Sequence, residues 1–183
     1  IKGYNTMRSN ITKKKHIEHL SITDELTKLY NRRFFNLKIE EEINRAKRED
    51  KSLCLMILDI DYFKQVNDSY GHLVGDAVLE QLGQRLRSSF RSIDLPARYG
   101  GEEFAVILPN LPLEKAIPVA ERFRQETMEV QFSIGQQVLR VTISIGAATY
   151  SMRNGQQYPN KVAFLGAAGQ ALYQAKQQGR NRT

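Results

Sequence analysis

The sequence predicts an α/β fold, an α+β sandwich in which a central sheet is flanked by helices in the order β-α-β-β-α-β-α. Three observations predict it. Leu53 to Leu58 is an unbroken apolar run, too short for a helix and ending in charge at Asp59, and it reads as a central strand buried on both faces. Phe104 to Leu108 is a second apolar run, entered through Gly100-Gly101-Glu102-Glu103. Around these runs, apolar residues recur at helical spacing, as in Phe35, Ile39, Ile43 and Ala46, and in Val74, Val78, Leu82, Leu86 and Phe90.

Taken in order, residues 5–20 are helix-permissive, but Ile11, Ile17 and Leu20 are too sparse for a core. They read as the end of a helical stalk, with Lys13-Lys14-Lys15 as its solvated face and His16 and His19 exposed. Ser21 to Tyr30 is a turn and Arg32 to Glu49 a helix. After the first strand, Asp61 is placed to cap a short segment from Tyr62 to Val66. Gly71 and Gly75 then interrupt the chain before the helix from Val74 to Phe90. A hairpin pairs Ala97-Arg98-Tyr99 with Phe104 to Leu108, its glycine pair allowing positive φ. Leu113 to Met128 is helical by pattern, with Pro118 expected to break or start it. Val138 to Thr149 alternates as one half-buried strand, and Lys161 to Gln178 is a final helix weakened by Gly166 and Gly169.

A chain of 183 residues with 41% hydrophobic content is expected to form one compact domain with a real core. No apolar stretch approaches the roughly 20 residues of a membrane span, and no secretory signal is visible. The single cysteine, Cys54, lies in the buried strand, which excludes a disulfide framework and fits a reducing cytoplasm. The first residue is not Met, so the chain reads as a piece of something longer. The net charge of +7 sits at the two ends: +4 over residues 1–20 and +3 over the last ten, with 19 cations against 19 anions between. A nucleic-acid binder carries its excess along a folded face, so no nucleic-acid partner is expected.

Two acidic clusters carry the candidate chemistry. Asp59 emerges at the carboxyl end of an apolar strand, which is costly for a carboxylate unless it is paired or holds a metal. Glu102 and Glu103 are displayed at a hairpin tip. Taken alone, a glycine-glycine turn with two acids is usually a solvated hairpin. Together with Asp59 it suits a hard cation that binds carboxylate oxygen and carries phosphates with it. No Gly-x-x-x-x-Gly-Lys-Ser/Thr loop is present, so phosphates are held otherwise. The amides of Tyr62, Phe63 and Lys64 open a short helix and suit an anion, and Lys176 and Arg180, four apart, are expected to face the same way on a last helical turn.

With these residues in view, the chain resembles the GGDEF domain of diguanylate cyclases, in a GGEEF variant. The resemblance rests on Asp24 to Arg33, on Asp59 to Lys64 with Asn67-Asp68, Gly71-His72 and Gly75-Asp76, and on Arg98 to Phe104. It continues through Thr142 to Gly146 and ends at Ala171-Leu172-Tyr173, Ala175-Lys176 and Gly179-Arg180-Asn181. It implies a stalk remnant at 1–20, a catalytic domain at 21–183, and a mainly antiparallel sheet like the palm of polymerases and nucleotide cyclases.

The implied reaction condenses two GTP into cyclic di-GMP and two pyrophosphates. Implied Mg²⁺ or Mn²⁺ ligands, for two ions per site, are Asp59, the Ile60 carbonyl and Glu102. Glu102 is also the implied proton acceptor from the 3′-hydroxyl, and Glu103 supports metal or hairpin geometry. The amides of Tyr62, Phe63 and Lys64 with the side chains of Lys64, Lys176 and Arg180 hold the triphosphate, and Asn67, His72 and Asp76 read guanine. Arg91 and Asp94 match an Arg-x-x-Asp motif that binds product and inhibits; otherwise they form a surface ion pair. A homodimer and an upstream sensor domain are implied partners. The rival reading is a catalytically inactive module that senses GTP or cyclic di-GMP.

Overall fold

A computed structural model describes residues 21–152 and 158–183; the expected stalk at 1–20 lies outside the described residues. The strands are β1 (Tyr30–Asn31), β2 (Leu53–Ile60), β3 (Leu95–Arg98), β4 (Glu103–Pro109), β5 (Phe132–Ile134), β6 (Gln137–Leu139) and β7 (Ile143–Tyr150). The helices are α1 (Arg32–Glu49), α2 (Phe63–Tyr70), α3 (His72–Ser89), α4 (Leu113–Glu129) and α5 (Lys161–Gln177). Five strands form one sheet in the order β1-β3-β4-β2-β7, and β5-β6 is a separate hairpin. The sheet is antiparallel except where β1 lies parallel to β3.

The period-2 geometry of β2 organises the core. Cys54, Met56, Leu58 and Ile60 pack toward α3 and α4, through Val78, Leu82, Leu86, Ala120 and Phe123. Leu53, Leu55 and Ile57 pack toward α1 and α5, through Phe35, Ile39, Ile43, Phe164 and Leu172. Every residue of β2 is buried, as the sequence predicts for a strand covered on both faces. Parity therefore aims Asp59 toward the α5 side, where Lys176 sits near the helix's end.

Local chemistry sets the helix starts. The Asn31 side chain accepts the Phe34 N–H at 2.9 Å, and the Asn160 side chain accepts the Ala163 N–H at 2.9 Å, each satisfying a free first-turn donor. Gly146 of β7 is required by close approach: a Cβ there would lie 2.1 Å from the Leu172 nitrogen and 2.2 Å from the Ala168 oxygen. That contact sets α5 directly on the sheet.

Several expectations are corrected. Pro118 does not break α4, which runs through it from Leu113 to Glu129. Pro118 is exposed, so the Glu114 carbonyl it leaves unpaired can be hydrated. The expected strand from Val138 to Thr149 is two: Gln137–Leu139 pairs with β5, and Ile143–Tyr150 pairs with β2. Alternation continues across the break, with Val141 buried between them, so the pattern hides it. The short β1 and β5 were not expected. The positive-φ glycines among the described residues are Gly71, Gly135 and Gly179, not the hairpin pair. At Gly100 a Cβ would lie 2.8 Å from the Glu103 carboxylate, which a rotation of that side chain can relieve.

Candidate active site

One cavity of about 190 Å³ is lined by Asp59, Ile60, Asp61, Tyr62, Phe63, Lys64, Glu102, Lys176 and Arg180. It gathers the expected metal ligands and the expected phosphate holders from three separate stretches of chain. The β2–β4 ladder does most of the gathering: Asp59 is paired with Glu103, and the Ile60 N–H reaches the Glu102 carbonyl at 3.5 Å. The hairpin tip is tied down from outside. Arg98 donates to the Gly101 carbonyl at 2.9 and 3.2 Å and to the Asp24 carboxylate at 3.3 Å. Burial works against the charge of Asp24, but the Thr27 N–H and hydroxyl, with Arg98, outweigh it and hold that carboxyl below its usual range.

Asp59 is 5% exposed, and the Lys176 ammonium stands 3.0 Å from it. Burial pushes the Asp59 carboxyl up to about 6, against the pull of Lys176 and with a contribution from Glu102 and Glu103. A buried acid beside two others calls for a cation. Of the three carboxylates on this cavity, Asp61 is taken up by hydrogen bonds from Thr142, Ser144 and Asn181, and those of Asp59 and Glu102, with Ile60 between the two aspartates, fit a hard divalent ion. Among the described residues no group of three or more His, Cys, Asp or Glu converges on a point. The set thus suits an ion that takes its remaining ligands from water and phosphate, the ordinary habit of Mg²⁺.

Asp61 does not cap α2. Tyr62 is the N-cap, in the left-handed conformation at φ 56°, and it makes no side-chain cap bond. Asp61 instead accepts from the Thr142 and Ser144 hydroxyls at 2.7 Å each and from the Asn181 N–H at 3.0 Å. The first amides of α2 precede the first turn's bonds, which Gln65 and Val66 donate to the Tyr62 carbonyl, and Tyr62, Phe63 and Lys64 all line the cavity. Lys176 and Arg180 share the cavity but not a helical turn: α5 ends at Gln177, and Gly179 at φ 118° reverses the chain.

The expected guanine readers are elsewhere. Asn67 is on α2, and His72 and Asp76 open α3, both exposed. Gly75 lets the two helices meet: a Cβ there would lie 1.9 Å from the Asn67 side-chain oxygen. Glu103 lies beside Asp59 on the ladder but outside the cavity lining. Arg91 and Asp94 are closed on each other. The guanidinium reaches the Asp94 carboxylate at 2.7–3.2 Å, the Arg91 N–H joins at 2.9 Å, and Arg91 also donates to the Pro109 carbonyl at 3.1 Å. A hollow of about 320 Å³ beside this pair is lined by Lys28, Tyr30, Arg87 and Phe90. The partners of Asp61 and Asp24 were missed by sequence reasoning; the Gly179-Arg180-Asn181 stretch was the available signal for the first.

A mainly antiparallel sheet thus brings acids from the end of β2 and the start of β4 side by side. The family description "Diguanylate cyclase, GGDEF domain" matches residues 21–182, and the chain belongs to that family. It is 40% identical over 177 residues to "Response regulator PleD" of Caulobacter vibrioides, covering 96% of this chain and 37% of that protein. It is 37% identical over 166 residues to "Diguanylate cyclase A" of Treponema denticola, covering 89% of this chain and 44% of that protein. The chain thus spans less than half the length of these curated relatives. Among solved structures, the GGDEF domain of DgcB from Caulobacter crescentus in complex with c-di-GMP matches with a TM-score of 0.82 at 32% identity, covering 88% of this chain and 90% of that one. The active GGEEF domain of a diguanylate cyclase from Vibrio cholerae matches with a TM-score of 0.76 at 34% identity, covering 83% and 94%.

Proposed function

We propose that this domain is a diguanylate cyclase that condenses two GTP into cyclic di-GMP and two pyrophosphates. The observation that carries the proposal is the single cavity shared by Asp59, Ile60, Glu102, the start of α2, Lys64, Lys176 and Arg180. In each of two transfers a 3′-oxygen bonds to the α-phosphorus of the other GTP, and the bond from that phosphorus to the bridging oxygen breaks. Pyrophosphate takes the electron pair. Such transfers depend on positioning and charge neutralisation. Asp59, Ile60 and Glu102 would hold Mg²⁺ or Mn²⁺, two per site, and the bound ions would supply positive charge against the phosphates.

The chain's own groups do the rest. Glu102 accepts the proton from the 3′-hydroxyl, and Glu103 braces the hairpin. Lys64, Lys176, Arg180 and the amides of Tyr62, Phe63 and Lys64 hold the triphosphate. Asn67, His72 and Asp76 read guanine: Asp76 accepts from N1–H and the 2-amino group and meets no donor on N1 of adenine. One domain binds one GTP, so catalysis takes a two-fold homodimer with the sites face to face. The N-terminal stalk would bring partners together when joined to an upstream sensor, in the cytoplasm. Product binds at Arg91 and Asp94 once their mutual pair opens to guanine, and it slows turnover.

The test is incubation with GTP and Mg²⁺. Cyclic di-GMP and pyrophosphate in a ratio of one to two support the proposal; no cyclic di-GMP from a folded, concentrated sample contradicts it. Arg91→Ala keeps turnover and weakens product inhibition. Unchanged inhibition removes the regulatory site alone.

A further inference from the structure

The turn that carries Arg180 is built from backbone that side chains disfavour. Gly179, Arg180 and Asn181 follow one another at φ 118°, 61° and 47°, and only the first lacks a Cβ. Such a run persists only where its surroundings hold it. Here each residue is held. The Arg180 N–H donates to the Ala175 carbonyl at 3.0 Å, and the Asn181 N–H to the Asp61 carboxylate at 3.0 Å. The Asn181 side-chain oxygen accepts from Arg124 at 2.7 Å, and Arg124 is braced by Glu121 at 2.9–3.2 Å. One residue on, the Arg182 carbonyl accepts the Ile145 N–H at 2.9 Å.

Asp61 is the centre of this arrangement. It is 4% exposed, and its two oxygens take the Thr142 and Ser144 hydroxyls as well as the Asn181 amide. The two aspartates of Asp59-Ile60-Asp61 therefore divide the work: Asp59 faces the cavity's cations, and Asp61 ties β2, β7 and the C-terminal turn into one block. The Arg180 side chain is held separately. Its guanidinium lies 4.6 Å over the Tyr62 ring, with one nitrogen 3.5 Å from the Tyr62 hydroxyl. Tyr62 is itself left-handed and about half exposed, so neither its backbone nor its burial favours a tyrosine there.

We infer that Asp61 and Tyr62 are positioning residues that preset Arg180 to receive the triphosphate of a bound nucleotide, Asp61 by fixing the turn through Asn181 and Tyr62 by holding the guanidinium against its ring. The inference rests on the triphosphate role proposed for Arg180. Its physical content is entropic: a guanidinium on a free side chain loses rotamer freedom when it meets an anion, and one already fixed loses less.

The experiment measures binding of a GTP analogue with a methylene group between the α- and β-phosphorus, by calorimetry in Mg²⁺. Tyr62→Phe, Tyr62→Asn, Asp61→Asn and Arg180→Ala are compared with the wild type, alone and with Arg180→Ala as the second change. Asn tolerates the left-handed backbone, so Tyr62→Asn removes the ring without adding strain. Tyr62→Phe should bind within about twofold of wild type, and Tyr62→Asn about fivefold more weakly. Asp61→Asn should weaken binding about tenfold. Neither should weaken Arg180→Ala further, because both act through Arg180. In turnover the losses should fall on KM for GTP more than on kcat.

Wild-type affinity in Tyr62→Asn, or losses that add in full to that of Arg180→Ala, would overturn the inference. An analogue that binds the wild type and Arg180→Ala equally well removes the anion role of Arg180, and the inference with it, while leaving the rest of the site standing. Should Asp61→Asn fail to fold, the exposed Tyr62 pair decides the matter.

Discussion

At Asp59 a carboxylate whose side chain is 7% exposed faces two further acids and is offset by Lys176 at 3.0 Å. Its folded-state pKa of about 6 lies above the ordinary value near 3.8, so the neutral acid is the form that folding favours. The stabilising contribution is therefore complete below about pH 4 and lost as pH rises through 6. In EDTA at pH 7.5, Asp59→Asn should be more stable than wild type by on the order of 2 kcal/mol, and the gap should close on acidification. Paired thermal melts across pH 4–8 measure it; a variant less stable than wild type at neutral pH would contradict the account. Asp59 was legible in the sequence because a charge ending an apolar run is conspicuous. Asp61 was misread as a cap, because its partners Thr142, Ser144 and Asn181 are 81, 83 and 120 positions away and no local pattern announces them.

Among the elements, α5 against β7 shows how a small residue sets a distance. Gly146→Ala would drive a methyl group into the backbone at Ala168 and Leu172, which cannot rotate away. A loss of about 3 kcal/mol or more is expected from denaturant unfolding. Because α5 also carries Lys176, the residual folded variant should show weaker nucleotide binding. A loss below about 1 kcal/mol would mean that the helix shifts freely. The helices were legible through their apolar spacing, and β2 through its unbroken run. Where local pattern and partner choice separate, legibility ended. Val138 to Thr149 alternates throughout, yet the chain leaves one ladder at Leu139 and joins another at Ile143. Tyr30–Asn31 is too short to have a period. Pro118 signalled a break that an exposed face made unnecessary.

For the whole molecule, Cys54 sits in the middle of the sheet at 0% exposure, and burial pushes its thiol up to about 12. Alkylation in native buffer should follow global unfolding, with a rate that rises in denaturant in step with the loss of structure. Rapid labelling of the folded protein would contradict a core closed on both faces of β2. If catalysis is two-fold as proposed, specific activity should fall on dilution, and a value independent of concentration would exclude it.

The claim beneath all of this is that Asp59 and Glu102 grip a divalent ion and a triphosphate between them. Calorimetric titration of Mg²⁺ into the protein with the methylene GTP analogue tests it directly. Wild type should bind the ion, and Asp59→Asn and Glu102→Gln should each lose about tenfold or more in affinity while remaining folded. Undiminished Mg²⁺ binding in both variants would contradict the account.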